Sequence, residues 1–290
     1  MKVKVKAPAK INLSLDVLRR RPDGYHDVSM VMQSVSLYDY VTVETVDSGK
    51  IEIVCDYPDI PLDSRNIAYK CAEAFFNYTK TENKGIKIII EKNIPSRAGL
   101  AGGSADGAAV IVALNKLFST YLKEKELCEI ASKIGADVPF CIIGGTRLAS
   151  GTGTDLKKMI GMPKCNIVIC KPDFSVSTAE AYSRIDSAQL SHPEFTSEMV
   201  RAIYARDIYM VTSSMLNDFE IALNLDPINE IKKIMLKNKA LGACMSGSGS
   251  AVFSVFNSLK KAEKCIVELK KSYNDVFLCE PLKNGCEVID

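Results

Sequence analysis

A glycine-rich segment at residues 95–106, PSRAGLAGGSAD, constrains the fold of this chain more than any other feature. It leads into an apolar stretch, AAVIVALNKLF, whose spacing predicts a helix of about four turns beginning near Ser104. Glycines let a backbone approach a ligand closely or adopt positive φ. The first amides of a helix have no partner within it and lie at the positive end of its dipole. The segment therefore predicts a phosphate-binding turn, although an ordinary turn with Ser104 as N-cap fits the same residues.

Two familiar phosphate motifs are excluded at this segment. No Gly-Lys-Ser/Thr follows the glycines, so it is not a Walker A loop, and the Gly-x-Gly-x-x-Gly spacing of a Rossmann turn is absent. Any phosphate site here must belong to another fold.

The rest of the chain mixes strand-like and helical spacing. Residues 2–6 and 86–91 alternate as strands do, whereas residues 66–78, 196–224 and 227–237 have helical spacing. Because no regular βαβ period connects these segments, we predict an α+β fold rather than a doubly wound sheet.

The stretch GGTRLASGTG at residues 144–153 lacks periodicity and predicts a connection between two halves of the chain. We therefore expect two domains, residues 1–156 and residues 157–290.

Composition excludes several classes of protein. Lys and Arg number 37 against 35 Asp and Glu, a balance that predicts no nucleic-acid partner and no binding to acidic membranes. No stretch approaches the ~20 apolar residues of a membrane span. The ten cysteines are scattered without a Cys-x-x-Cys pair, so we expect core thiols in a cytoplasmic protein rather than a zinc site.

Two charged residues stand among apolar or small neighbours, where a charge is costly unless it is paired or used. Lys10 ends the first predicted strand, and Asp137 lies in GADVPF. Phosphoryl transfer requires a cation near the transferring group and a carboxylate near the attacking hydroxyl, and this pair could supply both. A carboxylate that caps a nearby turn is the alternative interpretation of Asp137.

Three segments, in order along the chain, resemble the motifs of the GHMP kinases. They are APAKINL from Ala7, the glycine-rich segment from Pro95, and LGACMSGSGSA from Leu241. The resemblance covers essentially the whole chain. It implies an N-terminal ATP-binding domain like ribosomal protein S5 domain 2 and a C-terminal ferredoxin-like domain. It also implies Asp137 as general base, with Lys10 orienting it.

The resemblance further implies ATP as cosubstrate, with Mg²⁺ expected and its ligands left open between Ser104, Asp106 and other carboxylates. The residues expected to bind ATP are Pro95, Ser96, Arg97, Ala98, Gly99, Leu100, Ala101, Gly102, Gly103, Ser104 and Ala105, together with Asn66.

The segment RRPDGYHD at residues 20–27 could grip a pyrimidine base, although a surface turn with an amphipathic tip fits the same residues. A tight Pro-Asp-Gly turn followed by Tyr25 and His26 presents an aromatic face and a hydrogen-bonding edge together. The segment resembles the cytidine-gripping turn of those GHMP kinases that act on a CDP-linked polyol. That resemblance implies substrate contacts from Asn12, Thr178 and Tyr182, with Tyr182 stacking opposite Tyr25.

The implied reaction is phosphorylation of the 2-hydroxyl of CDP-methylerythritol, in the non-mevalonate route to isoprenoid precursors. Two alternatives stay open at this point. The chain could phosphorylate another small alcohol, such as homoserine or mevalonate, or it could be a nucleotide- or RNA-binding module that keeps the fold without the chemistry. The presence of Lys10 and Asp137, together with the near-neutral charge, argues against the module.

Overall fold

The computed structural model describes residues 1–58, 60–188 and 194–290. The strands are β1 (Lys2–Arg20), β2 (His26–Thr45), β3 (Ile51–Cys55), β4 (Ile86–Glu91), β5 (Thr146–Ser150), β6 (Asp155–Lys158), β7 (Asn166–Lys171), β8 (Gly242–Met245), β9 (Val252–Phe256), β10 (Asp275–Cys279) and β11 (Glu287–Val288). The helices are α1 (Ile67–Thr79), α2 (Gly102–Leu117), α3 (Glu124–Ser132), α4 (Val138–Ile143), α5 (Thr178–Ala188), α6 (Thr196–Ala205), α7 (Ile208–Ser213), α8 (Asp218–Leu223), α9 (Asp226–Lys237) and α10 (Leu259–Leu269).

Two sheets organise the described residues. The first has the order β11-β1-β2-β4-β3, with β5 attached to β2 and β6 to β5. The second has the order β10-β7-β9-β8, and all its pairs are antiparallel. Numbered along the chain, the second sheet has the order 4-1-3-2, which is that of a ferredoxin-like domain. The predicted α+β fold is confirmed.

The long β1–β2 pair carries the first sheet and is interrupted by bulges. Register shifts occur between Pro8 and Ala9, between Asn12 and Ser14, and near the far end of β1. Bulges bend a strand and re-aim its side chains. Lys10 lies between the first two of these shifts, in a part of β1 that is buried.

Several local predictions are confirmed. The strand at 86–91 is β4, and the helical spacing at 66–78 and 227–237 corresponds to α1 and α9. The predicted boundary at residue 156 falls within β6, and it stays a prediction. The last strand, β11, returns to pair with β1 in the first sheet.

Two local predictions are wrong. Helix α2 begins at Gly102 rather than near Ser104, and Ala101 occupies its N-cap position. Residues 144–153 contain β5, which pairs with β2, because the apolar positions of TRLAS fit the edge of the first sheet. The helical spacing at 196–224 corresponds to three short helices, α6, α7 and α8, because Asp207 and Asn217 each cap a new one.

No helix among the described residues is long and apolar enough to cross a membrane. All ten cysteines are free thiols, and seven of them are buried, which agrees with their prediction as core residues.

Candidate active site

Lys10 and Asp137 lie together although they are distant in the chain. The Lys10 Nζ is 3.6 Å from Asp137 Oδ2 and donates a hydrogen bond of 2.7 Å to Asn12 Oδ1. The Lys10 side chain is 6% exposed, whereas that of Asp137 is 30% exposed. Asp137 occupies the N-cap position of α4, but its side chain makes no capping hydrogen bond. An accessible carboxylate held by a buried ammonium is suited to accept a proton from a hydroxyl.

A network of hydrogen bonds joins β1, the glycine-rich segment and the loop at residues 246–250. The Asn12 amide donates to Ser246 Oγ at 3.3 Å, and that hydroxyl donates to the Gly99 carbonyl at 2.9 Å. The Ala251 amide donates to the Ala98 carbonyl at 3.0 Å. The first and third sequence motifs therefore meet at the second.

The contact at Gly99 requires glycine for two reasons. Its φ is +74°, in the left-handed region that side chains disfavour. A Cβ at this position would also overlap the Ser246 carbonyl oxygen. Ala101, the N-cap residue of α2, also has positive φ, at +58°. The tight turn between these two residues brings the start of α2 next to β1. There the backbone N–H of Lys10 donates to the Leu100 carbonyl at 3.1 Å.

The first three amides of α2, those of Gly102, Gly103 and Ser104, form what we call the amide cradle. They donate to no other group in the part of the chain that the structure describes. Gly102 is buried, whereas Gly103 is exposed and Ser104 is half-buried, so the cradle is open at its second and third residues. Open amides at the positive end of a helix can hold a phosphate group.

The other residues predicted in the phosphate turn have mainly structural surroundings. Pro95, Ala98 and Leu100 are buried, and Ser96 is half-buried. Arg97 is exposed with φ of +50°, and it forms no ion pair with any residue in the described ranges. The turn therefore presents backbone, rather than these side chains, at its open side.

A buried ionic triad beneath the cradle was missed by the sequence analysis. Lys92 Nζ lies 2.5 Å from Asp39 Oδ2 and 2.9 Å from Asp106 Oδ2, and all three side chains are at most 3% exposed. Asp39 also accepts from the amides of Asn93 and Ile94. The sequence does show that these charged residues stand beside apolar runs, which indicates that they could be buried. It does not show which charged residues contact one another in the fold.

The two ends of this triad differ. Asp106 Oδ1 is buried and is the one such side-chain atom without a hydrogen-bond partner among the described residues. Burial raises the pKa of Asp106 to about 8, although the Lys92 charge opposes the change. Burial lowers the pKa of Lys92, but the two carboxylates outweigh it and the net direction is upward. Asp106 thus keeps its proton to a higher pH than an ordinary carboxyl group does.

A cavity of about 610 Å³ adjoins this triad at the end of β4. Its lining includes Tyr40, Tyr57, Lys92 and Asn93. Lys92 Nζ is also 3.0 Å from the point where a Cβ on Gly102 would stand, so Lys92 both lines the cavity and approaches the start of α2.

Asn66, predicted to bind the nucleotide, is the N-cap of α1. Its Oδ1 accepts from the Ala68 amide at 2.9 Å, and its Nδ2 donates to the Pro61 carbonyl at 2.7 Å. The next residue, Ile67, comes within 3.6 Å of where a Cβ on Gly103 would stand. Asn66 therefore lies near the cradle with its side chain committed to the helix start.

The predicted pyrimidine site is an aromatic cluster. The His26 ring stacks on Tyr182 with centroids 4.6 Å apart and planes at 17°, and Tyr182 meets Phe219 edge-on at 4.9 Å. His26 Nε2 is 2.7 Å from Asp186 Oδ1. Tyr25 is 68% exposed. The ring that stacks directly on Tyr182 is His26, because α5 brings Tyr182 and Asp186 onto the imidazole together. The placement of Tyr182 opposite Tyr25 across a bound base stays a prediction.

This aromatic cluster lies near the Lys10–Asp137 pair. Burial, and after it the Asp137 charge, raise the pKa of Tyr182, which places the phenol within electrostatic range of that carboxylate. At the start of α5, the Thr178 hydroxyl is 3.3 Å from the Ser248 hydroxyl, so α5 also meets the loop at residues 246–250.

The oxygen donors of this cleft suit Mg²⁺, which binds oxygen ligands and retains several waters. Ser104 and Asp137 offer a hydroxyl and a carboxylate, whereas Asp106 is enclosed against Lys92. No group of three or more metal-ligating side chains occurs in the described ranges of the chain. A magnesium ion here would therefore depend largely on phosphate oxygens.

Comparisons of this chain with family models and with individual proteins indicate the same family. Residues 66–145 match the GHMP kinases N terminal domain, and residues 199–275 match the GHMP kinases C terminal domain. A protein of Clostridium acetobutylicum named 4-diphosphocytidyl-2-C-methyl-D-erythritol kinase is 44% identical over 277 residues, which are 94% of this chain and 98% of that protein. A protein of Clostridioides difficile with the same name is 44% identical over 99% of this chain and 97% of its own length.

A solved structure agrees with these relatives. The crystal structure of a 4-(cytidine 5'-diphospho)-2C-methyl-D-erythritol kinase superposes with a TM-score of 0.79 at 30% identity, and covers 97% of this chain and 99% of its own. Near-complete coverage at this identity, with both family domains matched, shows that the chain belongs to the GHMP kinase family.

Proposed function

We propose that this chain transfers the γ-phosphoryl group of ATP to the 2-hydroxyl of 4-diphosphocytidyl-2-C-methyl-D-erythritol. The observation that carries the proposal is the Lys10–Asp137 pair, 3.6 Å apart and beside the open amide cradle. The relatives that share most of its length bear the name of this activity.

ATP binds with its phosphates on the amide cradle and its base in the cavity beside Lys92. Backbone amides at the positive end of α2 hold the phosphate oxygens without requiring a side chain to move. Mg²⁺, when bound with the nucleotide, would neutralise phosphate charge, and Ser104 would offer it a hydroxyl oxygen.

Asp137 and Lys10 act on the acceptor hydroxyl. The hydroxyl oxygen forms a bond to the γ-phosphorus while the bond from that phosphorus to the β–γ bridging oxygen breaks, and ADP leaves. Asp137 accepts the hydroxyl proton. Lys10, held by Asn12, orients the carboxylate and offsets negative charge that builds up at the transferring group.

The cytidine end of the acceptor binds at the aromatic cluster. A pyrimidine that forms a hydrogen bond with the edge of the His26 imidazole lies near the plane of the imidazole. The Tyr182 ring, which stacks on His26, then covers one face of the pyrimidine. Tyr25, exposed on the adjoining turn, supplies the second aromatic face. Asn12 and Thr178 line the path between the cytidine and the transferring phosphoryl group.

Replacing the proposed general base tests the chemistry. Asp137→Asn should lower kcat by ~10²–10⁴-fold, the usual contribution of a positioned acid–base group, with ATP affinity retained. Asp47→Asn, on an exposed turn, is the control and should keep wild-type kcat. Wild-type turnover in Asp137→Asn would overturn the assignment.

Acceptor choice is tested by turnover on CDP-methylerythritol against homoserine and mevalonate. A solved homoserine kinase shares this fold with a TM-score of 0.80, but its sequence identity of 22% is too low to indicate a shared activity. We expect turnover with CDP-methylerythritol only. A faster reaction with homoserine or with mevalonate would refute the proposal.

The pyrimidine clamp has its own test. Tyr25→Ala should weaken binding of the cytidine substrate by ~1–3 kcal/mol, the value of one base–aromatic stack. Tyr121→Ala, at another exposed tyrosine, is the matched control. An unchanged Michaelis constant for Tyr25→Ala would show that this ring does not contact the base.

A further inference from the structure

Asp186 makes a contact that the proposed phosphoryl transfer does not use. Its Oδ1 lies 2.7 Å from His26 Nε2, and its Oδ2 lies 3.6 Å from Arg20 Nη1. It stands one helical turn after Tyr182 on α5, so one helix supplies both the ring that covers the imidazole and the carboxylate at its edge. The stacked Tyr182 ring therefore fixes the plane of the imidazole, and the Asp186 carboxylate fixes which ring edge faces it. His26 is only 8% exposed.

The carboxylate also decides which imidazole nitrogen carries hydrogen. An ionised carboxylate is an acceptor only, so a neutral His26 must place its proton on Nε2 to make the 2.7 Å bond. The lone pair then lies on Nδ1. Nδ1 makes no hydrogen bond to any described residue. The Nδ1 edge of His26 is therefore a hydrogen-bond acceptor.

An acceptor of this kind distinguishes the two common pyrimidines. Cytosine carries an exocyclic amino group, which donates, at the ring position where uracil carries a carbonyl oxygen, which only accepts. A nitrogen lone pair facing the uracil oxygen leaves both groups unpaired, whereas the cytosine amino group satisfies it.

We propose that Asp186 is a specificity-determining residue that fixes His26 as an acceptor and so selects a cytosine over a uracil nucleotide. The inference rests on the proposed function, since it requires the base of the acceptor to meet His26. Asp186 acts through His26 and is a positioning residue, because its carboxylate is engaged by His26 and Arg20.

The test compares kcat/KM for CDP-methylerythritol and for its uridine counterpart in the wild type and in Asp186→Asn. An asparagine side chain can either accept from or donate to Nε2, so it no longer enforces one tautomer. We expect the wild-type preference for the cytidine substrate to fall on the order of 10- to 100-fold, the scale of one mispaired polar contact. The Michaelis constant for ATP should not change.

Two further variants separate specificity from folding. Glu180→Gln changes another carboxylate on α5, one with no side-chain partner in the described ranges, and should keep the wild-type preference. Asp186→Ala should lose the preference as Asp186→Asn does. Binding of CDP and of UDP by calorimetry gives the same ratio without turnover, so a variant with low activity is still informative.

The outcomes are distinct. If the wild type turns over CDP-methylerythritol and both Asp186 variants keep its full preference over the uridine counterpart, the role of Asp186 is refuted while the proposed function stands. If the wild type does not turn over CDP-methylerythritol, the proposed function fails and this inference fails with it. A lower ratio in both Asp186 variants, with Glu180→Gln unchanged, supports the inference.

Discussion

The buried Asp106 makes a prediction about stability that can be worked out from its surroundings. Its carboxyl is enclosed against Lys92, one of its oxygens lacks a partner, and burial raises its pKa from 3.8 to about 8. Between those two values the folded protein keeps a proton that the unfolded chain has released. The contribution of Asp106 to the free energy of unfolding should therefore be largest below about pH 4 and decrease as pH rises toward 8.

The size of the effect follows from one proton. A difference of one bound proton changes the free energy of unfolding by ~1.4 kcal/mol per pH unit, so raising the pH from 5 to 7 should cost the wild type about 2–3 kcal/mol at this site. Asp106→Asn cannot titrate, and its amide oxygen can still accept from Lys92. The stability advantage of the variant over the wild type should consequently grow by that amount over the same interval.

Thermal unfolding of the ligand-free protein at several pH values measures this difference. At about 2 °C per kcal/mol for a chain of this size, the gap between the two melting temperatures should widen by about 5 °C from pH 5 to pH 7. Asp47→Asn, at an exposed carboxylate, should parallel the wild type. Parallel curves for Asp106→Asn and the wild type, separated by a constant offset, would show that Asp106 is ionised throughout and that the reasoning is wrong.

Three other predictions follow from the same geometry. Lys92→Met leaves Asp39 and Asp106 buried without their ammonium, and should lower the free energy of unfolding by ~3–5 kcal/mol in denaturant titrations; an unchanged midpoint would contradict the triad. Gly99→Ala must shift the backbone away from the Ser246 carbonyl and should raise the Michaelis constant for ATP. Gly103→Ala, at a position where a Cβ has space, should change this constant less. Equal effects of the two variants would argue against the close approach at Gly99. Asn217→Ala removes the amide that donates at 2.8 Å to the carbonyls of Met245 and Gly247, and should destabilise the protein by about 1–3 kcal/mol, measured by calorimetry; a melting temperature equal to that of the wild type would refute this.

Much of the candidate site could be predicted from the sequence because its parts are local. The glycine-rich turn before an apolar helix, the strand at 86–91 and the helix at 66–78 each depend on neighbouring residues, and all three are present. The resemblance to GHMP kinases added the roles of Lys10 and Asp137, which no local pattern carries.

The errors arise where distant residues decide the structure. Residues 144–153 have no periodicity of their own, and β5 forms because β2 offers an unpaired edge to it. Tyr182 stacks on His26 because α5 and the start of β2 meet in space, which spacing along the chain does not reveal.

By itself the sequence determined the α+β class and the family, and it predicted where a phosphate and a pyrimidine would bind, because glycine placement, apolar spacing and short motifs act over a few residues. Only the tertiary structure decided that Lys10 reaches Asp137, that Lys92 lies between Asp39 and Asp106, and that Asp186 holds His26. Hydrogen bonds and ion pairs depend on distances of a few ångströms. Those distances exist only after strands and helices from both sheets have packed together.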